Sequence, residues 1–186
     1  MDFNFIDESS IYTTNNNYRT WKFPDEEIYF PIKDSLKRNL LLAVNKDKNI
    51  FFKLTEKTTT SLEFKNFIEQ MLSKLSEEEI NKTIFILDNH SSHSTPELFE
   101  LYHEKKIKIL FGVPYLSKFN MIEFVFRGIK NILYKQLFES ITEIEKKVKE
   151  ILSDNNFCLS YKYYFKETLN NYYKFLITNN NINLNI

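Results

Sequence analysis

Residues 83–87 read TIFIL, an apolar run broken only by its leading threonine and closed at once by Asp88. A segment this short with no polar alternation has no solvent face, so it predicts a central strand buried on both sides. Such a strand demands neighbours in the sheet and cover above and below, and the rest of the chain supplies both. Residues 2–7 (DFNFID) alternate apolar and polar, with Phe3 and Phe5 on one face, which predicts a short strand. Arg38 to Val44 (RNLLLAV) reads as a buried strand, Asn45 to Asn49 as a turn, and Ile50 to Thr55 as the antiparallel partner. Thr58 to Ser61 offers N-caps for a helix through Leu75, whose Leu62, Phe67, Ile68, Met71, Leu72 and Leu75 fall at helical spacing.

Thr95-Pro96 opens a further helix toward Lys105, and Ile107 to Phe111 is another strand, ended by Gly112 and Pro114. Three helices follow, over Asn120 to Phe138, Ile141 to Leu152 and Tyr161 to Ile177. Ile11 to Pro31, with Asn15 to Asn17, Pro24 and Pro31, has poor periodicity and reads as a long loop, and the Asn-rich tail is expected to fray. The predicted class is α/β: a mixed sheet of three antiparallel strands and then parallel strands, flanked by helices. The ribonuclease-H-like fold is one such arrangement.

Composition narrows the chemistry. The 186 residues suit one domain, and only two are glycine, Gly112 and Gly128, too far apart to build a phosphate-cradling loop. A lone cysteine, Cys158, excludes an internal disulfide and a multi-cysteine zinc site. The N-terminus does not read as a signal peptide, and no apolar stretch reaches the roughly 18 residues of a membrane span, so no membrane partner is expected. The formal net charge is zero, so any case for a polyanionic partner must be local.

Three acids fall where elements end. Asp7 closes the first strand, Asp88 follows TIFIL, and Glu123 lies in the first turn of the helix from Asn120. Sheets with parallel strands bind ligands outside the carboxyl ends of those strands, so these carboxylates can converge. Three in one place repel, and a divalent cation with oxygen ligands resolves the conflict. Each also has an ordinary reading, as a strand cap or as an acid favoured by the helix dipole.

Their contexts separate the readings. Residues 7–9 are Asp-Glu-Ser, residues 83–93 are TIFILDNHSSH, and residues 113–123 are VPYLSKFNMIE. In order, these resemble the three acidic motifs of the DDE transposases of the mariner superfamily and its bacterial insertion-sequence relatives. Asp7-Glu8 begins the first motif, Asp88, Asn89 and His93 match the second, and Pro114, Tyr115, Asn120, Ile122 and Glu123 match most of the third. The 34 residues between Asp88 and Glu123 are the interval typical of one large branch. The chain departs from the pattern at Leu116-Ser117, Phe119, Met121 and Phe126. The likeness covers about residues 2–138, which implies a ribonuclease-H-like catalytic core over 1–138 with C-terminal helices over 139–186 packed on it. No helix-turn-helix DNA-binding domain is expected ahead of the core.

The resemblance implies metal-assisted cleavage and strand transfer of DNA, with Asp7, Asp88 and Glu123 as catalytic residues holding two Mg2+ or Mn2+ ions. Glu8, Asn89, His93 and Asn120 would support the site. On the helix from Asn120, Glu123, Arg127, Lys130 and Tyr134 share one face, and residues 103–135 carry a formal balance of +5 against −5 over residues 56–100. Lys118, Arg127 and Lys130 are therefore the expected DNA contacts, although such runs are also ordinary solvated surface. Without cysteine partners, His90 and His93 make no structural zinc site. DNA is the expected partner, bound weakly and without sequence preference, with a homodimer as an assembly open to the chain. The expected location is intracellular, nuclear in a eukaryote and cytoplasmic in a bacterium. The alternative reading is a catalytically silent transposase remnant that serves as a DNA-binding or protein-interaction module.

Overall fold

Alternation in the central strands decides the layering. In the computed structural model, which describes residues 2–13, 36–56, 58–112, 117–136 and 138–180, β2 (Lys37–Val44) lies between β1 (Asp2–Tyr12) and β3 (Asn49–Thr55), antiparallel to both. On its other edge β1 runs parallel to β4 (Thr83–Leu87), which in turn runs parallel to β5 (Lys108–Phe111). The order is β3-β2-β1-β4-β5, the predicted mixed sheet of antiparallel and then parallel strands.

Leu40, Leu42 and Val44 of β2 point to one face, and Leu41 and Ala43 to the other, all fully buried. The first face packs with Phe5 and Ile11 against α4 (Met121–Leu133), α5 (Ile141–Ser153) and Tyr161 of α6 (Asn155–Asn180). The second packs with Ile6, Phe85 and Leu87 against α1 (Ser61–Leu72) and α3 (Pro96–Glu104). Ile144, Val148, Ile151 and Leu152 of α5 join the first cluster, so the C-terminal helices share a core with the sheet.

Several boundaries move for identifiable reasons. β1 continues to Tyr12 because Ser9 to Tyr12 pair with Leu40 to Lys37, so its partner and not its own pattern sets its length. Asp7 therefore lies inside β1 and does not close it, and Ile11 and Tyr12 of the expected loop are strand; Asn15 to Asn17, Pro24 and Pro31 lie outside the described residues, as do Pro114, Tyr115 and Leu116 of the third motif and the tail beyond residue 180. A short helix, α2 (Glu77–Lys82), went unpredicted: it buries no residue and shows no apolar stripe, although Ser76 and Glu79 form a reciprocal capping box. α4 ends at Leu133, short of Phe138, and α6 starts at Asn155, six residues before Tyr161. Thr83, Phe85 and Leu87 of β4 are buried, but Ile84 and Ile86 are only half-buried. Ile86 faces a cleft where the helical cover on that side is incomplete.

Candidate active site

The two-residue repeat of β1 sends neighbouring acids to opposite sides of the sheet. Asp7 follows Phe5 toward the α4 side, and Glu8 follows Ile6 toward the α1 side. Asp7 is only 7% exposed. Its Oδ1 accepts the Glu8 backbone N–H at 2.7 Å, and its Oδ2 accepts Asn120 Nδ2 at 3.1 Å. Burial, then the charge of Asp88, with Glu123 adding a smaller push, raise its pKa to about 7, against the pull of the Glu8 N–H.

Asp88 sits beside it because β1 and β4 are parallel and in register, with Ile6 opposite Leu87 one residue before each acid. The backbone N–H of His90 donates to Asp88 Oδ1 at 3.2 Å, and His93 Nδ1 lies 2.6 Å from the same oxygen. His93 belongs to a 3-10 turn, Ser91–His93, and is fully buried, its ring stacked on Phe64 of α1 at 4.0 Å between centroids. Tyr102 of α3 donates its hydroxyl to the His93 carbonyl at 3.1 Å, which fixes the turn from below. Burial disfavours charge on both groups. For His93 the hydrogen bond to Asp88 and the proximity of Glu8 outweigh it and raise the pKa to about 9. For Asp88 burial is likewise overcome, by His93 and by the His90 N–H, which hold the carboxyl below its usual range. Asn89 donates to the Gly112 carbonyl and ties the loop after β4 to the end of β5.

Glu123 comes from the opposite element. Asn120 is the N-cap of α4: its Oδ1 accepts the Ile122 N–H while its amide nitrogen reaches Asp7. One side chain thus docks the start of the helix onto the first acid, and the first turn carries the half-buried Glu123 into the same space. Asp7, Asp88 and Glu123 all line one cleft of about 980 Å³, with Glu8, Asn89, His90 and Asn120 in its wall. His93 lies behind this wall. Much of the remaining lining is aromatic, including Phe3, Phe111, Phe119, Phe165 and Tyr172. The α6 contribution had no local signal in the sequence, because it depends on how a long helix crosses the sheet.

The basic residues stand outside the cleft lining. Lys118 and Arg127 are exposed, each with its charge over an aromatic ring, Phe119 at 5.2 Å and Phe124 at 5.5 Å. Lys130 is half-buried, and desolvation lowers its pKa although Glu123 pulls the other way. The opposite face of α4 is apolar: Met121, Ile122, Val125, Phe126, Ile129 and Leu133 are buried, and Ile132 is half-buried.

The donor set fits a hard divalent cation. It offers carboxylate oxygens at the mouth of an open cleft, and Asp7 carries a charge that burial first and then Asp88 and Glu123 disfavour, which a cation relieves. A proton is the alternative way to relieve it.

A family model described as DDE superfamily endonuclease matches residues 2–145. Among solved structures, the pre-cleavage Mos1 transpososome is similar at 16% identity with a TM-score of 0.76, over 91% of this chain and 54% of that one. The mariner Mos1 paired-end complex with Mg gives 17% and 0.75, over 91% and 53%. The catalytic domain of Mos1 mariner transposase gives 16% and 0.68, over 90% and 78%. The chain therefore spans about half the length of the transposase chains in the complexes it matches. No curated protein matches it significantly. At these identities the likeness carries the fold, which is the ribonuclease-H-like arrangement expected from the sequence.

Proposed function

The chain belongs to the DDE superfamily of endonucleases, and from that premise we propose that it cleaves DNA phosphodiesters and transfers the cut strand, with Asp7, Asp88 and Glu123 as the metal-holding catalytic acids. The observation that carries this reading is their convergence. The point in β1 where its parallel pairing with β4 stops, the residue just after β4 and the first turn of a facing helix bring three carboxylates to one cleft, where burial and then the charges of Asp88 and Glu123 raise the pKa of Asp7. Two Mg2+ or Mn2+ ions are the finer expectation. When bound, a divalent cation activates an attacking oxygen and stabilises the leaving one.

The protein's own residues do the positioning. Asn120 holds Asp7 from the α4 side, and the Glu8 N–H fixes its other oxygen. His93 donates to Asp88 from beneath the cleft floor, keeping that carboxylate ionised and in one orientation. Asn89 anchors the loop that bears Asp88. Lys118 and Arg127, exposed beside the α4 edge of the cleft, are free to meet phosphates flanking a bound scissile bond.

Calorimetry with Mg2+ and Mn2+ on wild type and Asp88→Asn, together with nicking of supercoiled DNA, tests the proposal. The substituted amide keeps an acceptor for His93 but loses the ligand charge. The expected result is divalent binding by wild type that Asp88→Asn weakens about tenfold or more, the range seen when a metal site loses a supporting group. Two ions per chain would support the two-metal form. Equal, poor binding by both proteins with no nicking by either would replace this reading with that of a silent remnant.

A further inference from the structure

A second cluster, on the α1 side of the sheet, carries side-chain atoms that the three-acid reading leaves unused. Glu8 Oε2 and His93 Nε2 are both buried, neither has a hydrogen-bond partner, and they face each other across 3.6 Å. The other ring nitrogen of His93, Nδ1, is 2.6 Å from Asp88 Oδ1 and donates its proton there. Below about pH 9 Nε2 is protonated as well and sets positive charge against the Glu8 carboxylate, and a bound cation would take that proton's place. A shared proton would draw them to about 2.7–2.9 Å. The observed gap is wider, and it is close to the edge of a tetrahedron around zinc, where bonds of about 2.0–2.1 Å set neighbouring ligands roughly 3.4 Å apart.

His90 supplies a third donor. One ligand atom each from Glu8, His90 and His93 lie within 4.8 Å of one another, and they are the one such trio of His, Cys, Asp or Glu among the described residues. His90 is exposed, and it lines the cleft together with Glu8, which gives an ion a path from solvent.

We propose that Glu8, His90 and His93 form a separate site for a borderline transition-metal cation of the zinc class. Two imidazole nitrogens and one carboxylate oxygen favour such a cation over Mg2+, which prefers oxygen ligands alone. With three protein ligands the site keeps an open position and differs from a closed structural zinc site, which the missing cysteines exclude. Asp88, bonded to the far side of the His93 ring, is the outer carboxylate that fixes a metal-ligating histidine. Since the ion takes Nε2 and leaves Nδ1 with Asp88, this site and the three-acid site can be filled together. The inference stands independently of whether the three acids hold a metal.

The test is Zn2+ calorimetry and Co2+ absorption on the full chain, with His90→Ala, Glu8→Gln and Glu123→Gln. His90 is exposed, so its loss leaves the core intact. Wild type should bind one Zn2+, give visible Co2+ bands, and resist displacement by excess Mg2+. His90→Ala and Glu8→Gln should each weaken Zn2+ about tenfold or more, while Glu123→Gln changes it by no more than about twofold. No Zn2+ binding by wild type, unchanged affinity in His90→Ala, or loss of Zn2+ in Glu123→Gln would each overturn the proposal. A loss of the Mg2+ response confined to Glu123→Gln reports on the three-acid site alone.

Discussion

Asp7 is a carboxylate folded into a place that disfavours its charge. Its pKa rises from 3.8 to about 7, so the unfolded chain ionises first and the folded state is progressively penalised as pH climbs between those values. A shift of that size is worth about 4 kcal/mol once pH exceeds 7. Asp7→Asn removes the charge but also the acceptor for Asn120 Nδ2, a loss of about 1 kcal/mol. The metal-free Asp7→Asn protein should therefore be the more stable by about 1–3 kcal/mol at pH 8, a rise of several degrees in Tm for a chain of this size. The gap should close toward pH 4 as Asp7 is protonated in the folded state, and below about pH 3, where it is neutral in both states, only the lost hydrogen bond should remain. Thermal melts in chelator across that range check it, and a less stable variant at pH 8 would show that the carboxylate is not strained. Asp7, Asp88 and Glu123 were legible in the sequence through their motif contexts, although Asp7 proves to lie inside its strand and not at its end. The burial of His93 against Phe64 was not, since it requires a 3-10 turn to fold back under α1, and no local periodicity encodes that.

At the scale of elements, α4 links stability to the site through a single residue. Asn120 caps the helix and holds Asp7, so its two roles can be separated by substitution. Asn120→Ala should cost about 1–2 kcal/mol from the lost cap and, by freeing Asp7, weaken Mg2+ or Mn2+ binding as well. Asn120→Asp keeps a capping oxygen but sets a fourth carboxylate beside Asp7. It should melt lower than wild type without metal, and recover more of that loss than Asn120→Ala when Mn2+ is added. Denaturant melts with and without Mn2+ distinguish the two, and identical metal responses would show that Asn120 acts on the helix alone. The helices themselves were readable where they bury a stripe, as α1, α4 and α5 do. α2 was not readable by stripe because it buries nothing, and the early start of α6 was not because Asn155 and Asn156 are exposed, poor helix formers, held in the helix by Asp154, whose Oδ1 accepts the Asn156 N–H.

The whole molecule is neutral yet electrically uneven. Residues 103–135 are basic and residues 56–100 acidic, and the sheet holds α4 and α1 on opposite faces. Lys118, Arg127 and Lys130 belong to the α4 side, where the three-acid cleft also opens, while α1, α2 and α3 carry much of the acidic segment away from it. Under the proposed function, a DNA backbone would be attracted along one side and repelled from the other, with no help from net charge. The expected behaviour is weak binding that is equal on unrelated duplexes and fades as salt rises. If these three cations each meet a phosphate, log Kobs should fall against log salt with a slope of about −3. They should not contribute equally. Arg127 is exposed, whereas Lys130 is half-buried with its pKa lowered by desolvation. Arg127→Ala should flatten the slope by about 1 and weaken every duplex alike, with a smaller change for Lys130→Ala. Fluorescence anisotropy over a salt series on two unrelated duplexes measures both quantities. A slope near zero would remove the α4 side from the DNA path, and a strong preference for one duplex would point to base contacts that these three side chains do not make.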